Sequence, residues 1–73
     1  MIPMTIQEQL AKDMIFKRRL LRMSQSQLAE RIGSSQAAVA RLESAKGNPT
    51  ADMLQRISTA LDTEITIRVR PQR

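Results

Sequence analysis

The chain has no cysteine, no histidine, no tryptophan and no tyrosine, and Phe16 is its sole aromatic residue. Without cysteine there is no disulfide staple, no zinc thiolate site and no thiol nucleophile. Without histidine the usual proton shuttle and the commonest metal ligand are missing. No nucleophile–base constellation is legible, so neither enzyme activity nor a cofactor nor a metal is expected. No apolar run approaches the roughly 20 residues of a membrane span. The opening Met1-Ile2-Pro3-Met4 lacks a basic region followed by an apolar stretch, so no signal peptide is read there. A cytoplasmic protein is the expectation.

What is present is small, apolar enough to fold, and basic. The 73 residues carry 12 Lys+Arg against 7 Asp+Glu, a formal charge of +5, and 41% are hydrophobic. That composition is globular, and the length sets one domain as the ceiling. A core of this size is worth only roughly 3–5 kcal/mol, and small domains usually add staples or oligomerise. With staples absent, oligomerisation is expected.

Glycine and proline are scarce, so each divides the chain: Pro3, Gly33, Gly47, Pro49 and Pro71. Thr5-Ile6-Gln7-Glu8 has the spacing of a capping box, and Ile6, Leu10, Met14, Ile15 and Leu21 recur near helical period. This predicts a helix over about 6–22, basic on its solvent side through Lys12, Lys17, Arg18, Arg19 and Arg22. Ser24-Gln25-Ser26-Gln27 is a second capping box, opening a short helix through Leu28, Ala29 and Ile32 that stops at Gly33. A third helix follows Ser34 or Ser35 as N-cap and runs through Leu42 or Glu43. After a turn at Ala45–Pro49, Thr50 caps a fourth, whose buried side is Met53, Leu54, Ile57, Ala60 and Leu61. The five methionines read as pliable core filling.

From Glu64 to Arg70 the period changes to two. Glu64, Thr66, Arg68 and Arg70 fall on one face, and Ile65, Ile67 and Val69 on the other. This predicts one amphipathic strand. Nothing else in the chain resembles a strand, so its backbone groups should pair outside the chain.

Two short capped helices joined at Gly33 have the anatomy of a helix-turn-helix. Ala29 sits where only a small side chain lets the helices approach, Gly33 supplies the turn, and Val39 packs back into the corner. The run Ser24–Gln36, continuing as Val39-Ala40-Arg41-Leu42-Glu43, Lys46 and Asn48-Pro49-Thr50, resembles the Cro/C1-type (XRE) helix-turn-helix family of bacterial and phage regulators. The resemblance covers roughly residues 10–62. A Cro/C1-like domain ending in a strand further resembles antitoxin-repressors of the HigA and HipB type. The chain departs from the family at two positions, where Arg22 and Ala45 replace the usual glycines.

The fold expected is therefore mainly α. A four- to five-helix Cro/C1-like domain spans 1–63, with its helix-turn-helix at about 24–43 and a strand and basic tail at 64–73. The resemblance implies a homodimer in which the strands carrying Ile65, Ile67 and Val69 pair across the twofold axis; the same strand and basic tail are equally suited to extend the sheet edge of a partner protein. At about 100° per residue, Gln36, Ala37, Ala40 and Arg41 share one face of the third helix, opposite Val39 and Leu42. Gln can bond adenine N6/N7, Arg can grip guanine O6/N7, and Ala methyls can touch the thymine methyl. Gln25 matches the family's phosphate-contacting Gln, and helix N-termini suit phosphate. Ser34, Ser35, Lys46 and Asn48, at the ends of the third helix, are assigned to phosphates, although Ser35 equally suits a pure N-cap. Lys17 and Arg19 are open between phosphate contact and a solvated face. The resemblance further implies a buried ion pair between Arg18 and Glu43. The expected partner is double-stranded operator DNA, bound by a homodimeric repressor in a bacterial or phage setting. The alternative is the antitoxin of a type II toxin–antitoxin pair, which binds a toxin protein and autoregulates its operon.

Overall fold

Four hydroxyl residues start four helices. In the computed structural model, which describes residues 4–65, Thr5, Ser24, Ser35 and Thr50 stand as extended N-caps before α1 (Ile6–Leu20), α2 (Gln25–Arg31), α3 (Gln36–Glu43) and α4 (Ala51–Ala60). Each hydroxyl accepts the backbone N–H three residues on, at 3.0 Å from Glu8 and Gln27 and 3.1 Å from Ala38 and Met53. At the first two starts the bond is reciprocated: Thr5 N–H donates to Glu8 and Ser24 N–H to Gln27, both at 2.8 Å. Such caps are worth about 1 kcal/mol each. They matter most for α2 and α3, which at 7 and 8 residues are too short to persist alone.

All four helices also end alike. The residue after each C-cap takes a left-handed backbone: Arg22 (φ 54°), Gly33 (φ 67°), Ala45 (φ 61°) and Asp62 (φ 49°). The next N–H then reaches back to an unpaired carbonyl: Met23 to Arg18 at 2.9 Å, Ser34 to Ala29 at 2.8 Å, Lys46 to Arg41 at 3.0 Å, Thr63 to Ser58 at 3.0 Å. This pattern satisfies carbonyls that a helix end leaves orphaned. Only Gly33 adopts the conformation without steric cost; Arg22 and Ala45 hold it with a Cβ where the family usually has glycine. The first helix accordingly stops at Leu20 and not at 22, because Arg22 has already left helical φ. Arg22 is exposed, so nothing is lost from the core by trimming it. Arg22→Gly should therefore stabilise the domain by about 0.5–1 kcal/mol. The expected reading is a thermal midpoint raised by roughly 4 °C in a circular dichroism melt. A midpoint that stayed put or fell would contradict strain at this turn.

The core gathers one stripe from each helix. Leu10 and Met14 of α1, Leu28 and Ala29 of α2, Val39 of α3 and Ile57 of α4 are buried, with Met23, Ile32 and Leu61 from the turns. Leu42, Met53, Leu54, Ala60 and Ile65 pack partly buried around them. Ala29 is nearly sealed at the α2–α3 crossing, and α1 packs on α3. Ile6 and Leu21, both on the apolar period of the first helix, are exposed instead, as are Phe16 and Leu20. Met14 and Met23 are core, whereas Met4 is exposed. The described residues form four helices, and none of these is long and apolar enough to cross a membrane. Of the strand expected over 64–70, Glu64 and Ile65 have no regular structure, and residues 66–70 lie outside the described part. Ile67 and Val69 are among the latter.

Candidate nucleic-acid interface

The outer face of α3 is built by what its inner face must do. Val39 is fully buried and Leu42 partly so, which turns Gln36, Ala37 and Arg41 outward as exposed residues, with Ala40 at the margin. Two methyl-sized side chains on this face leave the helix backbone within close reach of a groove floor. At one end, Ser34 is half-buried and Ser35 uses its hydroxyl oxygen on the Ala38 N–H. That bond leaves the Ser35 O–H free to donate. At the other end Lys46 and Asn48 are exposed, and Gln7 of α1 donates to Asn48 Oδ1 at 3.0 Å. Asn48 therefore keeps its amide N–H groups for an external acceptor.

Behind this face lies an ion pair. Arg18 Nε and Nη2 donate to Glu43 Oε2 and Oε1 at 2.7 and 2.9 Å, a two-pronged contact that ties α1 to the last residue of α3. The third prong, Arg18 Nη1, donates to the Met23 carbonyl at 2.8 Å and holds the α1–α2 turn. The side chains are 13% and 4% exposed, so the charges are largely withdrawn from water. Hydrogen bonding from Glu43 lifts the Arg18 pKa above its ordinary value; burial opposes this, and the carboxylate's charge adds to it. The guanidinium is thus charged at every physiological pH.

The pair is not isolated. Gln25, at the first position of α2, donates from Nε2 to Glu43 Oε1 at 3.0 Å, and Gln36 Nε2 donates to Gln25 Oε1 at 2.7 Å. Four side chains from three helices form one chain of hydrogen bonds, running from the interior to the exposed face of α3. Sequence reasoning assigned Gln25 and Gln36 separate contacts and missed this link. A partial signal was available: Gln36 and Glu43 are seven residues apart, two turns along one stripe of a helix. A second unforeseen contact involves Arg56 of α4, whose Nη1 donates to the Ile32 carbonyl at 3.4 Å while its Nε pairs with Asp52. No described buried side-chain polar atom lacks a partner, and no described acidic cluster could hold a metal.

Residues 15–67 match the model of the helix-turn-helix family HTH_3. No curated protein matches the chain. Among solved structures it is similar to one described as an MDT protein, with 27% identity and a TM-score of 0.72 over 97% of this chain and 100% of that one. It is also similar to a HipB variant in complex with an O2 20mer, at 25% identity and a TM-score of 0.72, covering 97% and 99% of the two chains. With the family model spanning most of its length, the chain belongs to the XRE-type helix-turn-helix family and is a DNA-binding regulator of that type.

Proposed function

We infer that the protein is a homodimeric transcriptional repressor that reads a palindromic operator by inserting α3 into the major groove. The observation that carries this reading is the exposed face of Gln36, Ala37 and Arg41, with Ala40 at its margin, backed by the buried Val39. It offers a bidentate amide, a guanidinium and methyl contacts, the three chemistries that distinguish base pairs in that groove. Gln25, Ser34, Ser35, Lys46 and Asn48 flank it and suit phosphates on either side. In a twofold dimer, two such helices enter successive major grooves about 34 Å apart. Occupation of promoter DNA is then enough to repress.

Dimerisation is supported at the carboxyl end of the described chain. Ile65, the first apolar residue of the expected strand, lines a groove with Leu10, Phe16, Leu20 and Leu61. Phe16 and Leu20 are 65% and 60% exposed there, a large apolar surface for so small a chain. A second copy contributing Ile67 and Val69 would cover apolar surface and pair strand edges together. A second role, as the antitoxin of a toxin–antitoxin pair, rests on the resemblance to HigA- and HipB-type repressors and the likeness to the HipB structure. A small toxin gene beside this one would be its direct sign.

The base-reading assignment is tested through Arg41. Arg41→Ala should lower affinity for the selected operator by about 10- to 100-fold, the worth of one bidentate base contact. Affinity for random duplex should fall far less in the same titration. Equal weakening of specific and random duplexes would assign Arg41 to phosphate and overturn the base contact.

A further inference from the structure

The loop between α3 and α4 is tied down from α1. Lys46 N–H reaches the Arg41 carbonyl at 3.0 Å and closes the end of α3. Beyond it, Gly47, Asn48 and Pro49 make no backbone hydrogen bond among the described residues, and α4 starts only after Thr50. Ala45 and Gly47 both stand in the left-handed region, at φ 61° and 80°, so the chain turns twice in quick succession. With so few backbone bonds, the course of this segment is set by its side chains. Pro49 is half-buried, and the exposed Asn48 accepts at Oδ1 from Gln7 Nε2 at 3.0 Å. Gln7 is 41 residues away in sequence, on the second residue of α1. The reciprocal capping box of Thr5 and Glu8 fixes the turn on which it stands.

We propose that Gln7 is a positioning residue for DNA binding: it holds Asn48 with its amide N–H groups turned outward, so that the loop grips one backbone phosphate of each half-site. The proposal rests on the reading of Asn48 as a phosphate contact. A phosphate oxygen only accepts hydrogen bonds, so Asn48 can serve it only through Nδ2. Its Oδ1 must then face away from the phosphate and meet a donor, and Gln7 supplies one. An amide without that donor has two nearly equivalent orientations, one of which sets its oxygen against the phosphate. Holding the side chain also removes rotamer freedom that it would otherwise lose on binding. Lys46, exposed on the same loop, brings the positive charge, and Asn48 adds the directional bond. A phosphate contact carries no base information, so Gln7 governs affinity and not sequence preference.

A methylphosphonate scan tests this with the full chain. A duplex selected from a randomised library is remade with one backbone phosphate at a time replaced by the neutral methylphosphonate. Wild type should lose about 10-fold at each phosphate that receives a hydrogen bond. Asn48→Ala should erase the loss at one position, which identifies it. Gln7→Met keeps the length of the side chain and removes the donor. It should shrink the loss at that same position to within about 3-fold, leave the other positions and the base preferences as they are, and add nothing in the Asn48→Ala background. Gln7→Lys restores a donor and should restore the full loss there. If Gln7→Met keeps the wild-type pattern of losses, or weakens all of them alike, Gln7 supports the fold only and the positioning role is overturned. If Asn48→Ala erases the loss at no position, the phosphate contact itself fails and the proposal falls with it.

Discussion

Glu43→Ala should abolish cooperative unfolding of the isolated domain at room temperature. The substitution strands the Arg18 guanidinium, 87% shielded, with the Met23 carbonyl as its remaining hydrogen-bond partner. Breaking a buried pair from one side costs roughly 3–5 kcal/mol. A core of this size supplies about that much in total. The loss should appear in circular dichroism as a weak, sloping melt in place of a transition. Replacing both partners, Arg18→Met with Glu43→Met, should restore a cooperative melt, since a pair of apolar residues carries no desolvation cost. A single Glu43→Ala variant that melted within a few degrees of wild type would show that the pair contributes little. The pH dependence follows from the raised Arg18 pKa. A cation whose pKa rises on folding contributes fully below its unfolded value and loses that contribution only as pH climbs past its folded value. The Arg18 contribution should therefore be flat across the neutral range and fade only in strong alkali.

Removing residues 66–73 should leave the helical domain folded and make it a monomer. Ile65 and its packing on the core are retained in that truncation, while the apolar Ile67 and Val69 are lost. Sedimentation should report a single chain, and operator affinity should fall by about 100-fold or more. The loss is large because the second half-site is then no longer delivered at the high effective concentration that a joined partner provides. A truncated protein that still sedimented as a dimer would transfer the interface to another surface, with the exposed Phe16 and Leu20 of α1 the first to examine.

Much of the fold was readable without coordinates because its signals are local. Thr5 with Glu8 and Ser24 with Gln27 are three residues apart, and each pair specifies a helix start through bonds that form inside one turn. Gly33 announced the end of α2 because a left-handed residue without a Cβ has little other use there. The end of α1 was less legible. Arg22 takes the same left-handed backbone, and nothing in an arginine advertises it. Periodicity also overstated the buried face of α1, since Ile6 and Leu21 follow the helical repeat yet stay exposed among the described residues.

The candidate site divides the same way. Helical period alone put Gln36, Ala37, Ala40 and Arg41 on one face, because 100° per residue is a property of the backbone and needs no tertiary contact. The hydrogen bonds behind that face join residues 11, 18 and 25 apart in sequence. No periodic pattern encodes such separations, and a glutamine's composition says nothing about which end of its amide faces inward. The angle between α1, α2 and α3 brings those side chains within bonding distance. Helix boundaries, faces and charge thus belong to the chain as written, through short-range sterics and hydrogen bonding. The hold on Gln36 belongs to the packed domain, where the crossing of three helices brings two amides within reach of a shielded carboxylate and of each other.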